Sequence, residues 1–286
     1  MNELALFAGA GGGILGGHLL GWRTICAVEW EPYPASVLAA RQNDKILPPF
    51  PIWDDVQTFN GTQWRGRVDV VSGGFPCQDI SAAGKGAGIT GSRSSMWKHM
   101  ARIIGEVRPQ YVYVENSPML ISRGINVVLG DLAEMGFDAE WGIVSAADVG
   151  ANHLRKRIWI VAKQMGYAYY DGQSAAEITR SLIERSNPCS AKQIKTSEPT
   201  GSGEQYAELA DANNAQQQER CLPSRILQKY ADVRRTSWWE TEPDVGRVDN
   251  GVAARVDRLK AIGNGQVPRV AATAFNILKN QSTSKG

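Results

Sequence analysis

The first half of the chain alternates between two hydrophobic rhythms. Short apolar runs rich in β-branched or aromatic residues occur at "LALFA" (Leu4–Ala8), "TICAVE" (Thr24–Glu29), "VDVVS" (Val68–Ser72) and "YVYVE" (Tyr111–Glu115). Runs of this kind suit strands covered on both faces. Between them, helical spacing predicts helices over Ile14–Leu20, Tyr33–Arg41, Ser95–Val107 and Ile125–Met135, with Gly136 as a stop. "IWDDV" marks a further strand, and "AEWGIVSA" and "RIWIVA" two more. Strand–helix alternation at this spacing predicts an α/β fold, a parallel sheet with right-handed crossovers.

After Lys163 the rhythm stops. Residues 171–219 are rich in Ser, Ala, Gln, Glu and Asn, as in "ANNAQQQ", and a flexible insertion is expected there. Structure is expected again near Cys221. The chain closes with "PRVAATAFNILK" (Pro268–Lys279), a periodic helix opened by proline. That helix needs a partner, and the sheet of the first half is the obvious one. The expected organisation is therefore a large domain, residues 1–163 completed by 255–286, with the smaller region 164–254 inserted in it.

Charge sharpens this division. The net charge of +2 hides a contrast: 164–254 carries 10 Lys/Arg against 13 Asp/Glu, and the remainder 21 against 16. Within the acidic segment, Glu219–Arg235 is locally basic. No apolar stretch is long enough to span a membrane, and the N-terminus lacks the pattern of a signal peptide, so a cytoplasmic location is expected. Cys26, Cys77, Cys189 and Cys221 form no CxxC pair, and His18, His99 and His153 are equally scattered. Neither a zinc site nor a disulfide framework is implied, and no metal is expected.

Candidate chemistry begins with "FAGAGGGILGG", which places six glycines in Gly9–Gly17 directly after the first strand. A backbone of this kind can turn tightly and approach a ligand at a helix N-terminus. The next strand ends in Glu29, a carboxylate placed to take both hydroxyls of a ribose. Together they read as a nucleoside-cofactor site. Gly11, Gly13 and Gly16 also fit GxGxxG, which keeps a nicotinamide nucleotide open. Asp54 and Asp55 follow another strand, and one of them can reach an adenine amino group or cap a helix. In "GGFPCQDIS", Cys77 stands where a strand ends, a position open to a buried packing thiol or to a nucleophile.

Taken together, these residues resemble the DNA cytosine-C5 methyltransferase family, bacterial or phage type. The resemblance covers Leu4–Ala162 and Arg258–Val270. "FAGAGG" is similar to the family's first motif, Glu29–Trp30 to its second and "DDV" to its third. "GGFPCQDIS" resembles its Pro-Cys-Gln motif and "GSRSSMW" the end of the mobile loop that follows. "VENSP" carries the Glu-Asn pair, "HLRKR" resembles Gln-x-Arg-x-Arg, and "AIGNGQVP" the final Gly-Asn motif. His153 replaces the family's glutamine, Ser117 stands where valine is common, and only a remnant of the penultimate motif remains at Arg258–Leu259.

The resemblance implies a Rossmann-like sheet with a small inserted target-recognition domain, and methyl transfer from S-adenosylmethionine to C5 of a cytosine flipped out of double-stranded DNA. Cys77 would be the nucleophile, adding to C6, and Glu115 would hold the proton at N3. Arg157 would stabilise charge at O2, with Arg155 supporting the site. Phe7, Gly9, Gly11, Gly12, Glu29, Trp30, Asp55, Val56, Pro76, Asn264 and Val267 would form the cofactor site. Ser81, Lys85 and Arg93, in a glycine-rich lid over Asp79–Met96, would meet DNA phosphates. Arg234 and Arg235 would touch DNA, as would Trp238–Trp239 unless that pair is core. A monomer needing no protein partner is expected, acting in restriction-modification. Alternatives are the same chemistry on RNA, an inactive nucleic-acid-binding relative, or a nicotinamide oxidoreductase. The last would not need Pro-Cys-Gln, Glu-Asn and Arg-x-Arg at strand ends.

Overall fold

A computed structural model describes residues 1–76, 95–165 and 253–283. In chain order the strands are β1 (Asn2–Leu6), β2 (Arg23–Val28), β3 (Ile52–Trp53), β4 (Val70–Gly73), β5 (Tyr111–Asn116), β6 (Phe137–Val144) and β7 (Arg157–Gln164). The helices are α1 (Gly12–Leu19), α2 (Pro32–Asn43), α3 (Ser95–Val107), α4 (Leu120–Arg123), α5 (Ile125–Glu134), α6 (Arg255–Asn264) and α7 (Pro268–Thr283). The insertion expected over 171–219, with Cys189, Cys221 and Trp238–Trp239, lies outside the described residues. Among the described residues, no helix is long and apolar enough to cross a membrane.

The seven strands form one sheet in the order β3-β2-β1-β4-β5-β7-β6. The first five are parallel to their neighbours, as the strand–helix alternation predicts. β7 departs from that expectation. It runs antiparallel between β5 and β6. The cause is the connection from β6 to β7, which holds only a short 3-10 turn, Ala147–Val149. A parallel neighbour would need a full helical crossover there.

Strand alternation divides the core between two faces. Val112 and Val114 of β5, with Ile158 and Ile160 of β7, pack with Trp97, Met100, Ile103, Ile104 and Val107 of α3. Tyr111, Tyr113, Trp159 and Val161 point the other way, onto Val270, Ala271, Ala274 and Phe275 of α7. The second face is rich in rings. Trp22 meets Phe275 edge-on at 4.7 Å and Tyr113 stacks on Trp159 at 5.4 Å. The Tyr113 hydroxyl donates to Ala271 O at 2.6 Å. α7 thus closes the sheet that begins more than two hundred residues earlier. The described residues up to Gln164 and those from 253 onward belong to one compact unit.

A carboxyl group is buried beneath α1. Glu3 on β1 is 1% exposed. Its Oε2 accepts the Thr24 hydroxyl and its Oε1 the Ser72 hydroxyl, each at 2.6 Å. Burial pushes the Glu3 carboxyl up to about 7, against the two hydroxyls that draw it down.

A folded-state value above the ordinary 4.5 means that the native chain binds this proton more tightly than the unfolded chain. The resulting stability is fully present below pH 4.5 and is lost as pH rises through about 7. Relative to Glu3→Gln, the natural chain is expected to lose roughly 3 kcal/mol of unfolding free energy across that interval. Urea denaturation of both proteins over a pH series measures the difference, and a flat difference would exclude the shift.

Candidate active site at the strand ends

The parallel strands all finish at one edge, where open α/β sheets bind ligands. A cavity of about 410 Å³ lies there. Each strand delivers part of its wall: Phe7 and Gly9 after β1, Glu29 and Trp30 after β2, and Asp54, Asp55 and Val56 after β3. Phe75 and Pro76 follow β4, and Glu115 and Asn116 end β5. The antiparallel β7 contributes its first residue, Arg157. α6 covers one side with Asp257, Lys260, Ala261 and Asn264.

The glycine-rich turn does two different things. Gly9 lines the cavity and has φ +55, following Phe7, which is itself left-handed at φ +52. The Gly9 N–H donates to Glu29 Oε2 at 2.7 Å, and the Glu31 N–H to Glu29 Oε1 at 2.7 Å. One carboxylate therefore ties the end of β1 to the end of β2. Burial raises the Glu29 carboxyl, and these two N–H groups oppose the shift. Each oxygen keeps acceptor capacity for a further donor such as a ribose hydroxyl.

Gly11 and Gly12 do not line the cavity. A Cβ on Gly11 would meet Leu38 at 2.9 Å, and one on Gly12 would meet Gln266 O at 2.2 Å. Gly11 lets the turn meet α2, and Gly12 lets the start of α1 touch the chain leaving α6. Val267 packs on the apolar face beneath α7 and is also absent from the cavity wall.

At the other end of the cavity Glu115 pairs with Arg157, Nε to Oε1 at 2.8 Å. The two side chains are 11% and 28% exposed. Burial raises the Glu115 carboxyl, and Arg157 and then Arg155 pull it down; burial prevails. Gly74 lies beside it, where any side chain would meet Glu115 Oε2 at 2.6 Å. The Asn116 amide donates to Phe75 O at 3.1 Å. Phe75 also packs on Trp97 with ring centroids 5.5 Å apart. The backbone that leads into Cys77 is thereby held to the end of β5. Arg155 stands outside the cavity wall, and its Nη2 donates to Gly263 O at 2.8 Å and to Gly265 O. It fixes the turn that presents Asn264.

Cys77, Ser81, Lys85, Arg93, Arg234 and Arg235 lie outside the described residues. Among the described residues, no group of three or more His, Cys, Asp and Glu could hold a metal ion. Asn264 lines the wall as expected, whereas Asp257, Lys260 and Ala261 escaped the sequence reading. Asp257, Lys260, Ala261 and Asn264 are spaced as one helical face, the signal that α6 is a helix over the cavity. Lys260 Nζ meets Glu31 Oε1 at 2.6 Å and joins α6 to the start of α2.

The two kinds of glycine are separable. Gly12→Ala, which drives Cβ into backbone, is expected to cost roughly 2 kcal/mol or more. Gly9→Ala meets no atom within 4 Å and is expected to cost roughly 1 kcal/mol through its left-handed backbone. Chemical denaturation of the two variants checks that order.

A family model described as C-5 cytosine-specific DNA methylase matches residues 1–273. The type II methyltransferase M.PspPI of Psychrobacter sp. is 34% identical over 137 residues, covering 46% of this chain and 32% of that protein. M.NgoMIV of Neisseria gonorrhoeae is 30% identical over 173 residues, covering 59% and 54%. The chain thus spans about a third to a half of the length of these relatives. Two solved structures share the fold, in matches that cover 99% of this chain. The Entamoeba histolytica methyltransferase EhMeth has a TM-score of 0.59 at 13% identity, with 98% of its own chain covered. The S. pombe Dnmt2 methyltransferase has a TM-score of 0.55 at 12% identity, with 99% covered. Because the family match takes in both the strand-rich half and the C-terminal segment that covers the cavity, the chain belongs to the C-5 cytosine-specific DNA methylase family.

Proposed function

We propose that the chain transfers a methyl group from S-adenosylmethionine to C5 of a cytosine turned out of double-stranded DNA, with Cys77 bonding transiently to C6. One observation carries this reading. A nucleoside-sized cavity opens directly onto a partly buried carboxyl–guanidinium pair, Glu115 and Arg157, and onto Pro76, the residue before Cys77.

The cavity wall fits the cofactor. Glu29 would take the ribose hydroxyls, Trp30 and Val56 would cover apolar faces, and Asp55 would meet the base amino group. Phe7, Gly9, Pro76 and Asn264 would complete the contacts. Gly11, Gly12 and Val267 would act from behind, by packing. When bound, S-adenosylmethionine supplies an electrophilic methyl group on a sulfonium.

The chain's own residues prepare the acceptor. The Cys77 thiolate adds to C6, and electron density from the C5–C6 double bond moves to C5, N3 and O2. Glu115, whose carboxyl is raised by burial, would give a proton to N3, while Arg157 would stabilise the charge at O2. Once C5 has taken the methyl group, loss of the C5 proton to solvent breaks the C6–S bond, returns the thiolate and lets Glu115 recover the proton from N3. Arg155 supports the site by holding the turn at Gly263–Gly265. The everted base would leave its flanking phosphates to Ser81, Lys85 and Arg93, and target contact to residues near Arg234 and Arg235 within 164–254. In this reading the protein is a cytoplasmic monomer acting in restriction-modification; the relatives' name, type II methyltransferase, supports the last part alone.

The test is incubation with labelled S-adenosylmethionine and either duplex DNA or RNA, followed by bisulfite mapping. Label on DNA is expected. Cys77→Ala should lose all turnover, and Glu115→Gln roughly a hundredfold of kcat. A duplex containing 5-fluorocytosine should trap the natural chain as a denaturant-resistant adduct. Turnover by Cys77→Ala, or label on RNA alone, overturns the reading. Separately, Arg234→Ala with Arg235→Ala should weaken DNA binding and flatten its salt dependence, measured by titration at several salt concentrations.

A further inference from the structure

Arg102 has no part in the chemistry above, yet its guanidinium is committed to one stretch of backbone. It lies in the middle of α3. Its Nη1 donates to Phe59 O at 2.9 Å, and its Nη2 to Val56 O at 2.9 Å and Gln57 O at 3.3 Å. Nη1 also meets Glu106 Oε1 at 2.7 Å one turn along α3. The other oxygen of Glu106 accepts the Gly61 N–H at 2.7 Å. Arg65 Nε then donates to Glu106 O at 2.9 Å. The connection from Val56 to Arg65 is gripped by its carbonyls and by an amide on the same helix.

That connection begins in the cavity wall. Asp54, Asp55, Val56 and Gln57 all line the cavity, and α3 adds Met96 to it. Asp55 is held inside the turn that Arg102 gathers. Its Oδ1 accepts the Gln57 N–H at 2.8 Å, and its carbonyl accepts the Thr58 and Phe59 N–H groups. A planar guanidinium can direct several donors at fixed angles to three carbonyls, whereas an ammonium is a single point charge.

We propose that Arg102 is a positioning residue for the cofactor: it holds the Asp54–Gln57 wall against α3 and so fixes Asp55 at the nucleobase end of the cavity. This rests on the cavity being the S-adenosylmethionine site. A purely structural brace is the competing account, and the burial pattern separates the two. The Arg102 and Glu106 side chains are 35% and 23% exposed. The apolar anchors of α3, namely Trp97, Met100, Ile103, Ile104 and Val107, are each no more than 1% exposed. Removing the guanidinium leaves those anchors in place and frees only the wall.

The experiment uses the full chain with Arg102→Gln and Arg102→Lys, titrated with S-adenosylmethionine by calorimetry and assayed on duplex DNA. The dissociation constant and KM for S-adenosylmethionine should each rise roughly tenfold, the loss of about one charge-assisted hydrogen bond's worth of ordering. The kcat, the KM for DNA and the melting temperature without cofactor should stay near those of the natural chain. In an Asp55→Asn background, Arg102→Gln should add little further loss. An unchanged cofactor dissociation constant, or a fall in kcat and melting temperature without one, overturns the proposal. If Arg102→Gln does not fold, Arg102→Lys decides by the same dissociation constant. Failure of the natural chain itself to bind S-adenosylmethionine removes the reading of the cavity, and the positioning role with it.

Discussion

The site depends on one close approach. Gln266 O lies where a Cβ on Gly12 would be only 2.2 Å away, and the Gln266 amide oxygen comes within 2.7 Å of the corresponding point on Gly13. This contact joins the chain leaving α6 to the start of α1. It brings Asp257, Lys260, Ala261 and Asn264 over a cavity whose other walls come from the first half of the sequence. Only glycine admits it, because any side chain at Gly12 would occupy the space of a backbone carbonyl. α7 then anchors the arrangement by stacking its apolar face on Tyr111, Tyr113 and Trp159.

Burial of carboxyl groups is the second constraint, and it acts in the same direction at three places. Glu3, Glu29 and Glu115 are all raised, and in each case desolvation is the largest cause. Their partners differ. Glu3 has two hydroxyls, Glu29 two backbone N–H groups and Glu115 a guanidinium. Neutral donors suffice to hold a group that joins strands. Of the three, only Glu115 has a cation in direct contact among the described residues, and that contact opposes the shift that burial imposes.

Much of this was legible in the sequence, where one physical signal dominated. The limits of α3 match the expected Ser95–Val107 because its buried residues recur at helical spacing. Glu29 and Glu115 fell at strand ends because the apolar runs stop there. Other features were hidden for identifiable reasons. β1 ends at Leu6 rather than Ala8 because Phe7 turns left-handed, which no hydrophobic pattern records. α6 buries no residue, so it carries little amphipathic signal, and no helix was expected directly before Pro268. Gly11 and Gly12 read as cofactor contacts because a glycine-rich turn looks the same in sequence whether its space faces a ligand or is taken by Leu38 and Gln266.

The direction of β7 decides what the basic cluster 155–157 can do. A strand parallel to β5 would present its last residues, Lys163 and Gln164, at the ligand edge, and would place Arg157 at the far end of the sheet. Run antiparallel, β7 pairs Trp159 with Glu115 and Ile158 with Asn116. Arg157 then stands just beyond the end of β5 with its Nε on the Glu115 carboxylate. Arg155, two residues earlier and left-handed at φ +28, turns away to the carbonyls of Gly263 and Gly265. A single reversal therefore separates the two arginines of the cluster. One is aimed into the cavity, and the other at the segment that closes it. The reversal itself follows from the short, helix-poor connection between β6 and β7, so the placement of the guanidinium beside Glu115 traces to what that connection lacks.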